Sequence, residues 1–189
     1  MRSPDDVHDE WLVLRCQSGD AAALAELVER WQPRLERHAL RLTGTADAAA
    51  DVAQATWLAI IRGLGRLDDP ACFRRWAYRI VANKCADWVR ARQRDRGRAS
   101  PLTVEPVDRN PSSNDSTDEI TRLRSAMAQL SPEHRATVSM FYLDEMPLAE
   151  IAQVLSLPIG TVKSRLHYAR RELQAVIEKG ENDGQSSEP

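Results

Sequence analysis

The first part of the chain alternates between apolar and polar residues with the period of an α-helix. A short apolar cluster at 11–14 precedes Gly19 and Asp20, and apolar residues then recur every three or four positions over 21–42. This spacing places them on one face of a helix, which can bury that face in a core. Pro33 lies within the pattern and is expected to kink the helix or divide it.

Two more helices are predicted before the middle of the chain. Thr45 can cap a helix that continues to about Arg62, because its hydroxyl can accept from a free N–H group. Asp69 followed by Pro70 is a typical helix start, since proline fits the first helical position. The apolar residues that follow predict a long helix ending near Arg92.

Capping signals also begin the helices of the second part of the chain. Ser116 and Glu119 form a capping box, and Ser131 followed by Pro132 predicts the start of the next helix. A short helix is expected over 148–155. No segment shows the sustained alternation with period two that predicts a strand. The expected fold class is therefore all-α, with two small helical domains.

The segment between the two helical blocks has the composition of a flexible linker. Residues 93–116 contain three prolines, one glycine and a polar run of Asn, Ser and Asp, with little apolar periodicity. We therefore expect a helical domain over 9–92, a flexible linker over 93–116, a second helical domain over 117–178 and a disordered tail over 179–189.

Charge is distributed unevenly along the chain. The formal net charge of the 189 residues is -2, which argues against a uniformly basic surface. From Phe73 to Arg98, however, nine Lys and Arg residues are opposed by only two Asp residues. Such a stretch can hold phosphate groups.

Composition and motifs also argue against several classes of protein. No segment approaches the roughly 18 consecutive apolar residues of a membrane span, and the acidic start at 1–10 does not resemble a secretion signal. We therefore expect a cytoplasmic protein without membrane insertion. Three cysteines without CxxC spacing, and four histidines distant from them, predict neither a metal site nor a disulfide. No convergent nucleophile and base are found, so we expect no catalytic residues, no cofactor and no enzymatic activity.

The stretch Glu150–Leu166 has the pattern of a helix-turn-helix motif. A short helix is followed by a tight turn at 156–160, and Thr161 helps to open a second helix with one apolar stripe and an opposite polar, basic face. That face offers hydrogen-bond donors to DNA, and Lys163 and Ser164 are the first candidates for contacts with base edges or phosphates. For the pattern alone, the alternative is a surface helix with a solvated basic side.

A second polar face lies on the predicted third helix. Asp51, Gln54 and Leu58 align on the side opposite the apolar residues Val52 and Ile60. Folding alone does not require this pattern. The alternative is a solvated face with a single exposed leucine, which is common in proteins.

Both blocks contain motifs of one protein family. The motifs of the C-terminal block are Leu130-Ser-Pro-Glu-His-Arg, Glu150-Ile-Ala, Gly160-Thr-Val-Lys-Ser-Arg-Leu and Ala169-Arg-Arg-Glu-Leu. The motifs of the N-terminal block are Gly19-Asp, Arg41-Leu-Thr-Gly, Ala50-Asp-Val-Ala-Gln-Ala-Thr-Trp-Leu and Phe73-Arg-Arg-Trp-Ala-Tyr-Arg-Ile-Val-Ala-Asn. They resemble regions 4 and 2 of extracytoplasmic-function sigma factors of the sigma-70 family. A helix-turn-helix alone is widespread, but this pairing in family order is specific.

The resemblance implies a factor that binds core RNA polymerase, at the beta-prime clamp and beta flap, and directs initiation at promoter DNA. The implied polymerase-binding residues lie on the third helix: Asp51, Gln54, Trp57 and Leu58. The minus-10 element would be recognised and opened by the loop at 65–69 and by residues of the basic helix: Arg75, Trp76, Arg79, Asn83, Asp87 and Arg90. The minus-35 element would be recognised by the second helix of the motif: Thr161, Lys163, Ser164, Arg165, His167, Tyr168 and Arg171.

Some of these assignments keep an alternative. Trp57 and Trp76 can belong to the core alone, because aromatic residues at helical spacing mostly pack inward. His167 and Tyr168 can equally be surface side chains of the helix. The family often carries a basic residue where Tyr168 stands, so its promoter preferences do not transfer to this chain.

The resemblance also implies regulation by an anti-sigma factor that covers the polymerase-facing and DNA-facing surfaces. The chief alternative is a stand-alone repressor or the output domain of a response regulator. Either would need a dimer interface or a phosphoacceptor domain of βα units, and the N-terminal block predicts neither.

Overall fold

The computed structural model describes residues 4–98 and 123–185, with side chains described over 4–94 and 123–177. The described residues form eight α-helices: α1 (Pro4–Gln17), α2 (Ala21–Thr43), α3 (Ala46–Gly63), α4 (Phe73–Arg98), α5 (123–129), α6 (Pro132–Val138), α7 (Leu148–Leu155) and α8 (Ile159–Gln185). Neither described range contains a strand, which confirms the all-α prediction. Among these helices, none combines the length and the apolar character needed to cross a membrane.

The chain divides into two compact units. The first unit contains α1 to α4, and the second contains most of the residues that follow. The linker predicted over 93–116 lies mainly outside the described residues, as does the capping box at Ser116 and Glu119. The part of the linker that is described belongs to α4, which continues to Arg98 and so passes the boundary predicted at residue 92.

The core of the first unit is built on α2. Leu27, Trp31 and Leu35 are fully buried, because a spacing of four residues keeps side chains on one face of a helix. The Trp31 ring meets the Phe73 ring of α4 edge to face, with 5.1 Å between ring centroids, a favoured aromatic geometry. Pro33 lies on the exposed side of α2, and the helix continues past it, so the predicted division does not occur.

Helix starts in the first unit follow the capping residues. Thr45 caps α3 as predicted, accepting from the Ala48 N–H at 3.4 Å. Asp69 was predicted to cap the long helix α4, but it caps a short 3₁₀-helix that precedes α4. Its carboxylate accepts from the Ala71 N–H at 3.1 Å and starts a 3₁₀-helix at Pro70–Cys72, and α4 begins only after that turn.

A partly buried ion pair ties α1 to α2. Arg30 Nε donates to the Asp9 carboxylate at 2.9 Å, and the Asp9 side chain is 7% exposed. A second bond runs from Arg30 Nη2 to Asp5 at 3.3 Å. The hydrogen bond that Arg30 donates to the Asp9 carboxylate raises the pKa of Arg30. Both polar groups are therefore paired, and α1 is fixed against the core helix.

The second unit has a small core in which Met140, Ile151 of α7 and Val162 of α8 are fully buried. Ser131 caps α6 as predicted, accepting from the His134 N–H at 3.2 Å. The helical path continues from α6 through a π-helical turn at Ser139–Leu143. The packing of these helices positions the outer face of α8.

The end of α8 differs from the prediction. The tail over 179–189 was expected to be disordered, but the backbone of α8 remains helical to Gln185. Extending an existing helix adds a hydrogen bond for each residue and needs no new nucleation, so a polar segment can stay helical without packing. Residues 186–189 lie outside the described part of the chain.

Candidate nucleic-acid interfaces

The helix-turn-helix geometry is set by the connection between α7 and α8. Ser156 adopts φ +55, the left-handed conformation that commonly ends a helix, and the Leu157 N–H donates to the Ala152 carbonyl at 2.9 Å. The Thr161 N–H then donates to the Pro158 carbonyl at 2.9 Å as α8 begins. The turn thus closes within a few residues, as the sequence predicted.

The buried and exposed faces of α8 follow the predicted pattern. Val162, Leu166 and Ala169 are buried. Five of the residues predicted to contact the minus-35 element are exposed on the outer side: Lys163, Ser164, His167, Tyr168 and Arg171. The other two, Thr161 and Arg165, are half-buried. The outer face therefore presents cations, hydroxyls and a ring to the solvent, which is the chemistry that duplex DNA requires.

Two contacts restrict the side chains around this face. Ser164 Oγ donates to the Gly160 carbonyl at 3.0 Å, so its hydroxyl proton is bonded within the helix, and its oxygen can still accept a hydrogen bond from DNA. Arg170, outside the predicted set, donates to the Tyr142 hydroxyl and lies 5.4 Å from that ring centroid. Arg170 therefore belongs to the packing between α8 and the π-helical turn, and Lys163 is the more available cation.

A second polar face lies on α4 in the first unit. Arg79, Asn83, Asp87 and Arg90 are exposed, and their spacing of three or four residues places them along one side of the helix. Arg90 Nη2 donates to Asp87 at 2.6 Å, with both side chains about two thirds exposed. That pair offsets part of the positive charge, so Arg79 is the cation on this face that the structure leaves most available.

The other two residues predicted on this face lie closer to the core. Trp76 is half-buried, and its ring packs against the end of α3, since a Cβ added at Gly63 would lie 2.8 Å from Trp76 Cζ2. Arg75 is also half-buried, with Nη2 2.9 Å from the Cys72 sulfur. A ring held in this way can offer an edge to a base, but it cannot swing out without breaking the packing of α3 on α4.

The polar face predicted on α3 is present, with one correction. Asp51, Gln54 and Leu58 are exposed, and Leu58 is 49% exposed. Trp57 was predicted for the same surface but is only 7% exposed, because its position turns it toward the buried side with Val52 and Ile60, so we leave it out of the surface. Ile61, which the sequence analysis did not single out, is 50% exposed on the same side. The outer side of α3 is thus mixed, with polar residues at one end and two aliphatic residues at the other.

The cysteines do not form a site among the described residues. Cys16, Cys72 and Cys85 form no disulfide, and no group of His, Cys, Asp and Glu in the described ranges could hold a metal ion. Burial raises the pKa of Cys85 to about 12, which keeps this thiol protonated and unreactive.

The comparison with protein families assigns one region to each unit. The profile described as Sigma-70 region 2 matches residues 27–95, and the profile described as Sigma-70, region 4 matches residues 120–173. The first match covers all of α3 and most of α2 and α4, and the second covers α5, α6, α7 and the first part of α8.

Curated relatives and solved structures agree with these profiles. The ECF RNA polymerase sigma factor SigL of Mycobacterium tuberculosis is 34% identical over 166 residues, covering 86% of this chain and 93% of SigL. SigE of Mycolicibacterium smegmatis is 33% identical over 172 residues; the match covers 86% of this chain but 65% of SigE. The solved structure of CnrH in complex with the cytosolic domain of CnrY is similar with a TM-score of 0.70 and 26% identity, covering 91% of this chain and 98% of CnrH.

Proposed function

The chain belongs to the extracytoplasmic-function group of the sigma-70 family of RNA polymerase sigma factors. From this membership we propose which helices bind the polymerase and which bind each promoter element. It binds core RNA polymerase and directs promoter-specific transcription initiation, with DNA contacts at the minus-10 and minus-35 elements. The observation that carries the proposal is the presence of two compact units in family order, each with a polar helix face opposite a buried stripe.

The outer side of α3 is the proposed docking surface for the polymerase clamp. Asp51 and Gln54 supply polar contacts, and Leu58 and Ile61 supply exposed apolar area. Aliphatic residues that are half exposed on a helix otherwise well packed are typical of a surface that a partner covers. The beta flap is the proposed partner of the second unit, by analogy with the family.

The exposed face of α4 is the proposed surface for the minus-10 element. Arg79 is proposed to donate to a base edge, and Asn83 can donate to or accept from a neighbouring base edge. Asp87 cannot bind phosphate, but its carboxylate can accept from the exocyclic amine of cytosine or adenine. Opening the duplex at this element would expose such edges, and a base that leaves the stack needs these contacts to replace its pairing.

The exposed face of α8 is the proposed reader of the minus-35 element in the major groove. Lys163 and Ser164 lie on the second turn of α8, on its outer side, where a recognition helix contacts base edges. His167, Tyr168 and Arg171 extend the same face and are proposed to contact neighbouring bases or phosphates. The half-buried Thr161 and Arg165 are proposed to contact the backbone at the edges of this surface.

An anti-sigma factor is the proposed third partner. The solved relative CnrH was determined with a second protein, the cytosolic domain of CnrY, bound to it. Silencing this chain requires that its polymerase-binding and DNA-binding faces be covered together. The chain itself is proposed to carry out no reaction, since the polymerase supplies the chemistry of RNA synthesis.

The proposal is tested by assigning each DNA-binding face to its own promoter element. Run-off transcription with core polymerase should require this protein, and Arg79→Ala should lower initiation from the intact promoter. The loss should disappear on templates whose minus-10 element is already altered. Arg37→Ala removes the same charge from an exposed position on α2 and serves as the control. If Arg79→Ala and Arg37→Ala behave alike on every template, α4 is not the minus-10 surface.

A further inference from the structure

The turn between α1 and α2 is held by a compact set of hydrogen bonds. Arg15 Nε donates to the Asp20 carboxylate at 2.8 Å, and Arg15 Nη2 donates to the same oxygen. The other carboxylate oxygen accepts from the N–H groups of Ala22 and Ala23 at 2.9 and 3.1 Å. The Ala23 N–H and the Arg15 guanidinium lower the pKa of Asp20, so this carboxylate stays ionised at neutral pH. The end of α1 is therefore well fixed.

Gln17 extends from this fixed turn to a distant loop. Its Nε2 donates to the Leu64 carbonyl at 3.0 Å and to the Leu67 carbonyl at 2.8 Å. An amide NH₂ group has two donors, so the two carbonyls use both of them. These carbonyls belong to the segment between α3 and the 3₁₀-helix that precedes α4, which we call the 64–69 loop.

Both ends of the 64–69 loop are anchored, since Leu64 is buried and the Asp69 carboxylate accepts from the Ala71 N–H at 3.1 Å. Between them the Leu67 N–H donates to the Leu64 carbonyl at 3.2 Å, which closes a single 3₁₀ turn. Gly65, Arg66 and Asp68 are exposed. Short 3₁₀ turns have poor hydrogen-bond geometry, so a donor from another helix contributes substantially to holding such a turn in one conformation.

We propose that Gln17 is a positioning residue for promoter recognition: by holding the Leu64 and Leu67 carbonyls, it fixes the 64–69 loop in the conformation that receives an unpaired base of the minus-10 element. The proposal rests on the proposed function and on the family resemblance, which implies that the loop at 65–69 takes part in recognising the minus-10 element. Gln17 itself contacts no DNA. Its effect is pre-organisation, because a loop that already has its binding conformation loses less entropy when the base enters.

Three substitutions at this position separate the hydrogen bonds from other roles of the side chain. Gln17→Ala removes both donors, Gln17→Glu keeps the shape but replaces the donors with acceptors, and Gln17→Lys keeps donors on a side chain of similar reach. Ser18→Ala is the matched control, since Ser18 is the next residue, is exposed, and its hydroxyl donates to the Leu14 carbonyl of α1 and not to the loop.

The first readout is amide hydrogen exchange in the 64–69 loop of the full-length protein. Loss of the two bonds should speed exchange in this loop by about three- to tenfold in Gln17→Ala and Gln17→Glu, with little change in Ser18→Ala. The second readout is discrimination among promoters by the protein with core polymerase. Gln17→Ala and Gln17→Glu should lose discrimination among minus-10 variants and keep discrimination among minus-35 variants, and Gln17→Lys should recover part of the loss.

The outcomes separate this inference from the proposed function. Unchanged loop exchange in Gln17→Glu would overturn the inference, whatever the transcription result. Faster exchange with intact minus-10 discrimination would also overturn it, because the loop conformation would then not matter for recognition. If wild-type protein confers no promoter-specific initiation, the proposed function fails first, and the inference fails with it even where the exchange result holds.

Discussion

Lys163 is the residue through which the proposed reading of the upstream element can be tested most directly. It is exposed on the outer face of α8, and the described contacts leave it available for DNA. Lys163→Ala should cost about 1–3 kcal/mol if the ammonium contacts a base edge, and the loss should then concentrate on a few base pairs. A phosphate contact would instead weaken all sequences equally and lower the salt dependence of binding.

The measurement is initiation from a set of minus-35 variants, with Arg124→Ala on α5 as the control for lost positive charge. The recognition-helix assignment would be contradicted by equal activity of wild type and Lys163→Ala on every variant. It would also be contradicted if Arg124→Ala caused the same loss.

The left-handed backbone conformation of Ser156 lowers the stability of the protein, and a substitution by glycine can test this. A side chain at φ +55 is strained by its Cβ, and glycine avoids that contact. Ser156→Gly should therefore raise the free energy of unfolding by about 0.5–1 kcal/mol, although glycine also increases the entropy of the unfolded chain. Urea unfolding followed by circular dichroism measures this. Ala175→Gly, at an exposed position inside α8, should lower the free energy of unfolding by about 1 kcal/mol. A loss of stability in both variants would contradict the argument.

At the scale of single residues, sequence patterns predicted which side of a helix is exposed better than they predicted individual contacts between residues. The exposed residues of α8 follow from helical periodicity, whereas the residues on α4 came from the family resemblance. Trp57 was predicted to bind polymerase with packing in the core as the alternative, and its burial favours the alternative, since a large ring near the border of the apolar stripe gains free energy by turning inward. Gln17 was not singled out, since no local pattern links a side chain to carbonyls that are 47 and 50 residues away.

At the scale of helices, α3 provides the sharpest test of polymerase binding. Asp51→Arg combined with Gln54→Ala should weaken association with core polymerase without unfolding the helix, because both side chains are exposed. Glu29→Arg makes the same charge change at an exposed position of α2 and is the control. A fluorescence titration with core polymerase gives the affinities, and circular dichroism checks the fold. An unchanged affinity in the α3 variant, with the fold intact, would remove α3 from the interface.

The contact between α5 and α6 predicts a local loss of stability. Arg135 lies on α6, and its Nη2 donates to the carbonyls of Ala128 and Leu130 at the end of α5. Burial lowers the pKa of Arg135, so these carbonyls compensate for the lost hydration of the guanidinium. Arg135→Ala should lower the free energy of unfolding by about 1.5–3 kcal/mol. Amide exchange in α5 should become faster. Arg135→Lys should retain part of the effect, and unchanged exchange in α5 would contradict this role.

The sequence predicted which segments form helices, but it did not predict where some of these helices end. Capping residues located the starts of α3 and α6, because each cap satisfies N–H groups of the next turn within three residues. The end of α4 was placed too early, since the polar residues after Arg92 resemble a linker although they also favour a helix. The π-helical turn at Ser139–Leu143 has no simple sequence signal, because it depends on how the helix packs within the second unit.

At the scale of the whole molecule, we expect weak promoter binding by the protein alone and specific binding with core polymerase. The proposed DNA-binding surface of each unit lies on one helix, and we expect neither surface alone to bind tightly. Polymerase would fix the spacing of the two surfaces, so that the second contact becomes intramolecular. Fluorescence anisotropy with a labelled promoter fragment measures both cases. Tight, specific binding without polymerase would favour the alternative of a stand-alone repressor.

The central claim is that α4 and α8 read two separate promoter elements for core polymerase. Its most direct test is transcription from a library of randomised promoters by core polymerase with the wild-type protein, followed by sequencing of the transcripts and their start sites. The account predicts two enriched sequence blocks upstream of the start. It predicts that Arg79→Ala weakens only the downstream block and Lys163→Ala only the upstream one. Transcripts without any enriched block, or two blocks weakened equally by either substitution, would contradict it.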